Sequence, residues 1–334
     1  MTTPFRPTAG STLVLLILAA KPAVAQAPPP PDTSAVLSTD SVTPPADSVI
    51  LLAPRPMPVA AVEAPIHPTV APSPDGRMFA AIQTRPDPIL WIVPADGSEP
   101  YAFRKMWAAY YPRWSPSGDR LGFIAAIGPP RVWTVELDLE TGRPIDPPRL
   151  LIYIEANAFA FSPDGTRIAL VAARSTAAGA SELHIIDWET RSRRRLLRER
   201  GSIYRLDWAP DGRSIYYGLL PFAPSPEAPH RVKKVSVASG AADAVRDGGE
   251  FLGLAPNGEW LLQRVPADSA GSESVVEVVA LDDGQVTRIR LPSGIWSVSW
   301  AGTSDALVLV APIEDEDGIW QIPIKPVMPE PSQP

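Results

Sequence analysis

Three histidines and no cysteine limit the chemistry open to this 334-residue chain. Without cysteine there is no disulfide, no thiolate nucleophile and no sulfur ligand for a metal. His184 sits in the apolar run LHII from Leu183, where a histidine reads as structural. His67 and His230 lie far from it in sequence. The oxygen donors Glu155, Asn157, Asp207 and Glu250 are of the type that could hold a metal for assisted hydrolysis. The run Glu314-Asp315-Glu316-Asp317 lacks the ligand spacing of a calcium loop and reads as a solvated acidic segment. No G-x-S-x-G elbow is present to expose a nucleophilic serine. Arg191, Arg193, Arg194, Arg195, Arg198 and Arg200 could gather anionic lipid, but along a strand they divide between two faces and protect an edge. The remaining candidates are aromatic. Trp107, Tyr110, Tyr111, Tyr204 and Trp296, with Phe222 in the proline-stiffened segment Gly218–His230, suit contact with a partner, since each offers a large apolar body and most a polar handle.

The elements that position these residues follow from a repeat. The phrase AFSPDGTRIALV at Ala160 recurs as APSPDGRMFAAI at Ala71, RWSPSGDRLGFI at Arg113, DWAPDGRSIYYG at Asp207 and GLAPNGEWLLQR at Gly253. A sixth copy, SWAGTSDALVLV at Ser299, has Gly302 in place of the anchor proline. Successive anchors, Pro74, Pro116, Pro163, Pro210, Pro256 and Gly302, are 42, 47, 47, 46 and 46 residues apart. A fixed period of this size marks a repeat architecture. Proline presets φ and the following glycine supplies positive φ, so each phrase is a hairpin turn. Ahead of the turns, apolar residues stand two back (Trp114, Phe161, Trp208, Leu254, Trp300) and four back (Phe159, Leu206, Leu252, Val298). That alternation is a strand. Position three back is smaller or polar: Ala71, Arg113, Ala160, Asp207, Gly253 and Ser299. A third run follows in each copy, for example VWTV from Val132 and VEVV from Val276. Four of these lead into further turns, Asp96-Gly97, Thr141-Gly142, Ser239-Gly240 and Asp283-Gly284.

The expected fold is all-β: a six-bladed β-propeller of four-stranded antiparallel blades. The last copy supplies three strands and then turns proline-rich. An N-terminal strand at Val59–Val62 is expected to complete it and close the ring, which removes the open sheet edge. Tyr110, Asn157, Tyr204, Glu250 and Trp296 each stand six residues before an anchor, and His67 stands seven before. They are expected around one mouth of the central channel, on the face away from the SPDG turns.

The SPDG-centred copies resemble the TolB-type, WD40-like propeller repeats of exported bacterial proteins, over about Val59 to Lys325. The last copy, SVSWAGTSDALVLV with the later IWQIPI, is also similar to the propeller of LpqB-type lipoproteins, although the lipidation cysteine is missing. The resemblance implies a propeller and leaves the function open, since propellers host unrelated functions.

Export is read from the N-terminus. Arg6, the short apolar run Thr12–Ala20 and the small-residue site Ala23-Val24-Ala25 make residues 1–25 a secretory signal. The apolar run is far below the ~20 residues of a membrane span. Residues 26–57 read as a proline-rich tether, 58–325 as the propeller and 326–334 as a proline-rich tail. A net charge of −7 argues against a nucleic-acid partner. Together these features imply a monomeric scaffold, periplasmic or otherwise exported, that binds an envelope protein or peptide. It is expected to be no enzyme, to need no cofactor or metal, and to have no transmembrane span in the mature chain. A metal-dependent hydrolase or lactonase at the channel mouth, or a sensor for a small envelope ligand, are the alternatives.

Overall fold

The computed structural model describes residues 49–51, 55–56, 66–83, 89–103, 109–125, 128–172, 179–222, 229–265, 274–291, 295, 297–313 and 316–324. Among these every regular element is a strand, and no helix is long and apolar enough to cross a membrane. Two short strands come first, β1 (Val49–Leu51) and β2 (Arg55–Pro56). The first repeat folds as β3 (Ile66–Pro72), β4 (Met78–Gln83), β5 (Ile89–Pro94) and β6 (Tyr101–Phe103), an antiparallel meander. The second and third share a strand. β7 (Ala109–Trp114), β8 (Arg120–Ala125) and β9 (Arg131–Glu136) lead to the long β10 (Arg149–Phe161), followed by β11 (Arg167–Ala172), β12 (Ala180–Asp187) and β13 (Arg193–Arg200). The start of β10 pairs with β9 and its end with β11, so seven strands run in one hydrogen-bonded order.

The fourth repeat is β14 (Ser202–Trp208), β15 (Ser214–Leu220), β16 (Arg231–Ser236) and β17 (Ala242–Asp247). The fifth is β18 (Glu250–Leu254), β19 (Trp260–Val265), β20 (Ser274–Ala280) and β21 (Val286–Leu291), extended by β1, which pairs with β21 in parallel. The last is β22 (Ser297–Trp300), β23 (Ala306–Ile313) and β24 (Glu316–Pro323). Its outer neighbour is β2, with Arg55 opposite Gln321 and Pro56 opposite Trp320. An N-terminal strand therefore sits where closure requires one. Val59–Val62, where it was expected, lies outside the described residues, and the observed pairing uses residues a few positions earlier.

The phrase SPDG is a small hydrogen-bonded device. The Ser73 hydroxyl donates to Asp75 Oδ1 at 2.5 Å and accepts the Met78 amide at 3.0 Å, while the Gly76 amide closes the turn on the Ser73 carbonyl at 2.9 Å. Ser162 and Asp164 repeat the arrangement, with the Arg167 amide at 2.9 Å from the Ser162 hydroxyl. Gly76, Gly118, Gly165, Gly212 and Gly258 all have φ between 66° and 78°, the left-handed region that glycine enters without cost. In the sixth copy Ser304 takes that conformation, φ 62°, so the turn survives its altered sequence.

Gly302 has a separate reason for replacing proline. A Cβ built there would lie 2.3 Å from the Pro74 carbonyl oxygen and 2.6 Å from that of Ser73. The last turn meets the first turn too closely for any side chain.

The core is distributed between repeats. Each consecutive pair of strand sets shares one apolar cluster, and the last meets the first through Val70, Phe79, Ala81 and Val93 against Ala306, Val308, Val310 and Ile319. Tryptophans two before the turn tie neighbours together. Trp114 donates its indole N–H to the Ala71 carbonyl at 2.8 Å, Trp208 to Ala160 at 3.2 Å and Trp300 to Gly253 at 3.3 Å. Each bond crosses from an even-numbered repeat to the one before it.

Candidate functional site

The first strands β3, β7, β10, β14, β18 and β22 contact one another in sequence, and β22 contacts β3, so they ring a central channel. A cavity of about 430 Å³ lies along it, towards the end that carries the turns. Most of its wall is apolar or backbone: Trp114, Trp208, Trp300, Leu254, Val298 and the anchor prolines. The residues three before each anchor, Ala71, Arg113, Ala160, Asp207, Gly253 and Ser299, all line it. That position, smaller or polar in every copy, is therefore channel wall.

Charge enters at one side only. Asp207, Arg113 and Arg205 are the charged residues of the lining. Arg113 reaches from the second repeat to the fourth, passing the alanine of the third, and its Nη1 lies 3.1 Å from Asp207 Oδ1. Its Nη2 donates to the Leu206 carbonyl at 3.4 Å and to the Tyr111 hydroxyl at 3.3 Å, and its guanidinium lies 4.9 Å from the Tyr111 ring centre. Asp207 Oδ2 accepts the Leu254 amide at 3.1 Å, which ties the fourth repeat to the fifth. Arg205 stands on the far side of the same carboxylate, with Nε 3.8 Å from Oδ2, too long for a hydrogen bond. Its Nε is buried with no hydrogen-bond partner among the described residues. Burial and the neighbouring Arg113 both push the Arg205 guanidinium below its ordinary pKa.

The first strands carry bulges close to this cluster, and these decide where the tyrosines point. The β7–β8 register shifts between Tyr110 and Arg113, and Tyr111 is held at φ 59°, an unusual conformation for a bulky residue. Tyr111 lines the cavity and packs against Phe159, with ring centres 6.1 Å apart. Tyr110 packs half-buried against the cluster shared by the second and third repeats, and burial raises its hydroxyl pKa. The β14–β15 register shifts between Ile203 and Arg205 and turns Tyr204 sideways. Its hydroxyl accepts the Phe251 amide at 2.7 Å, its ring meets His230 edge-on, and it fills the space a Cβ on Gly218 would need. Burial holds the Tyr204 hydroxyl far above its usual pKa. Tyr110 and Tyr204 are each partly buried. Both take part in packing between repeats.

Phe222 is 72% exposed at the far face, against Gly179 of the neighbouring repeat. Trp107 and Trp296 lie outside the described residues. Of the proposed oxygen ligands, Asn157 is exposed, Glu250 faces Arg264 at 3.5 Å, and Asp207 is committed to Arg113 and a backbone amide. Among the described residues no three His, Asp or Glu side chains are grouped to hold a metal. Glu316 and Asp317 open β24 opposite Ile313 and Pro312, whereas Glu314 and Asp315 lie outside the described residues. The arginine run on β13 does divide between two faces. Arg194 donates to the Val237 carbonyl of the next repeat at 2.6 Å, while Arg193 and Arg195 meet His184 and Glu182 at 3.1 Å each.

The cross-channel pair was missed from sequence, although its signal was present: two opposite charges at the same offset, in copies two apart.

No protein-family model matches the sequence, and no curated protein matches it. Solved structures do match. TolB from Acinetobacter baumannii aligns at 17% identity over 69% of this chain and 58% of its own, TM-score 0.52. The chain thus spans less than two thirds of that protein. The TolB-type protein of Agrobacterium tumefaciens aligns at 18% identity over 78% and 91%, TM-score 0.57. The β-propeller domain of Swd1 from Myceliophthora thermophila aligns at 13% over 78% and 98%, TM-score 0.52. An oligogalacturonate lyase from Vibrio parahaemolyticus aligns at 9% over 85% and 98%, TM-score 0.52. At these identities the likeness is one of fold: the chain folds as an all-β propeller similar to TolB and to WD40-type propellers.

Proposed function

We propose that this chain is an exported scaffold, a six-bladed propeller of four-stranded blades that binds a protein or peptide partner in the cell envelope and catalyses no reaction. The observation that carries this reading is the channel: a cavity of about 430 Å³, apolar on most sides, with its one carboxylate tied to an arginine and a backbone amide. Such a wall suits a binding role, in which apolar surface supplies affinity and a few fixed polar groups supply orientation. The repeat spacing and the successive inter-repeat clusters support the blade count. The signal-like residues 1–25 support export. The fold alone does not separate binding proteins from enzymes, since a lyase is among the similar structures. Against a metal-dependent hydrolase stands the chemistry of Asp207, whose neighbours are cations.

The test is fractionation of producing cells with intact mass measurement, followed by in-cell cross-linking. A mature chain beginning at Gln26 in the envelope fraction, cross-linked to one envelope protein, is the expected result. A cytosolic, uncleaved chain would remove the export claim. Stoichiometric tightly bound Ca²⁺ with hydrolase activity would favour the enzyme reading instead.

A further inference from the structure

We propose that the channel binds a single carboxylate at Arg205, with the apolar wall receiving the group that bears it, so that the partner engaged here presents a free C-terminus. This deepens the scaffold reading above and rests on it.

The argument begins with charge. The lining holds two guanidiniums and one carboxylate, a net charge of +1, among apolar side chains, Tyr111, Ser297, Ser299 and backbone. Each Asp207 oxygen already has a close partner, Arg113 at 3.1 Å and the Leu254 amide at 3.1 Å. Arg113 is engaged as well, since its Nη2 reaches the Leu206 carbonyl and the Tyr111 hydroxyl. Arg205 is left over: its Nε is buried without an acceptor among the described residues, and Asp207 is 3.8 Å away. The Arg205 side chain is 26% exposed and lines the cavity, so an anion entering there can meet its guanidinium.

Space is arranged around the same group. A Cβ on Gly253 would lie 3.4 Å from Arg205 Nη2 and 3.3 Å from Asp207 Oδ2, so the glycine keeps the wall open beside the guanidinium. Ala160 and Ser299, at the same offset in other repeats, are small as well. Tyr111, held at φ 59°, packs its ring against the Arg113 guanidinium. Backbone strain of this kind persists where the surroundings over-determine it, and it gathers at binding sites. A planar guanidinium fork matches a carboxylate, and one uncompensated charge matches a monoanion. The tryptophans and prolines of the wall favour an apolar residue behind that carboxylate over a fully polar acid.

The probes are N-acetyl-Leu-Phe with a free C-terminus, its C-terminal amide, and 4-phenylbutyrate. Binding to the full mature protein is followed by calorimetry and by the fluorescence of the wall tryptophans. The account expects the free-acid peptide to bind saturably. Its amide and the Arg205→Gln variant should each lose about ten- to a hundredfold, the worth of a charge-assisted hydrogen bond. Arg205→Lys should recover part of the loss and shows that the position tolerates change. Binding of 4-phenylbutyrate without the peptide would keep the carboxylate site but overturn the peptide C-terminus as its source, and with it the scaffold reading of this channel. Equal binding of acid and amide, unchanged binding by Arg205→Gln, or no saturable binding of any probe would overturn the carboxylate site. A cross-linked envelope partner found alongside that result would leave the scaffold reading standing.

Discussion

Gly302→Ala is the substitution whose sign depends on ring closure. In an isolated strand set the change would be mildly favourable. Gly302 is outside the left-handed region, so alanine adds no backbone strain, and it would stabilise by about 0.4–1 kcal/mol through the unfolded chain. In the closed ring the new methyl would sit 2.3 Å and 2.6 Å from the carbonyl oxygens of Pro74 and Ser73. Those are backbone atoms of the first turn, not the tip of a flexible side chain. Relief requires the last and first repeats to move apart along the seam packed by Val70, Phe79, Val308 and Val310. Overpacking of this kind costs about 1–3 kcal/mol, and for a domain of this size each kcal/mol moves Tm by about 2–4 °C. The assay is urea unfolding followed by tryptophan fluorescence, with a thermal scan beside it. Thr303→Ala, in the same turn, removes an exposed hydroxyl contact with Asp305 and should change stability by less than about 1 kcal/mol. If Gly302→Ala melts at or above the parent, the seam is not formed as described and the closure argument fails.

Trp208→Phe, which leaves the Ala160 carbonyl without its indole donor, should destabilise by about 1–3 kcal/mol in urea titration. Glu277 is buried, yet Gln263, Arg288 and Arg246 at 2.7, 3.0 and 2.9 Å hold it ionised. Burial pushes its pKa up and those three partners pull it further down, so it contributes stability above the unfolded carboxyl pKa that is lost as pH falls through the lower folded value. Glu277→Gln should cost about 1–3 kcal/mol at pH 7 and flatten the acid limb of the stability profile. His184 is 3% exposed, and burial, with Arg193 beside it, lowers its pKa. The unfolded chain therefore takes up that proton first, and stability should begin to fall as pH drops below about 6.5. His184→Gln should remove that part of the slope, measured as the difference in unfolding free energy between pH 7 and pH 5.

The repeat was legible because turn chemistry and alternation agree in most copies: Pro presets one dihedral and Gly supplies another in the first five, and apolar residues stand two and four back in the last four. Gly302 looked like an eroded anchor, but the reason for it is long-range contact with Pro74 and is invisible in local sequence. Arg191 hid a turn for the opposite reason. It adopts φ 60° where the other repeats have Gly97, Gly142, Gly240 and Gly284, so no glycine marked the place. Val49–Leu51 was read as tether because prolines surround it, whereas its backbone pairs with β21. The offset count marked position three back as smaller or polar but did not place Arg113 or Asp207 in the channel, where the structure puts both. It could not show that Arg113 spans to a repeat two away. Nor could it show that the β14–β15 register shifts at Tyr204 itself, between Ile203 and Arg205, where the bulge sets the direction of the side chain.

The central claim is that the channel is where a partner binds. A photo-cross-linking amino acid placed at Ser299 in the channel wall, compared with one at the exposed Asp243 on the outer strand β17, tests it in producing cells. The account predicts a discrete adduct with one envelope polypeptide from position 299, absent from position 243 and diminished by Arg205→Gln. A folded protein that yields that adduct from position 243 and none from position 299 would contradict it.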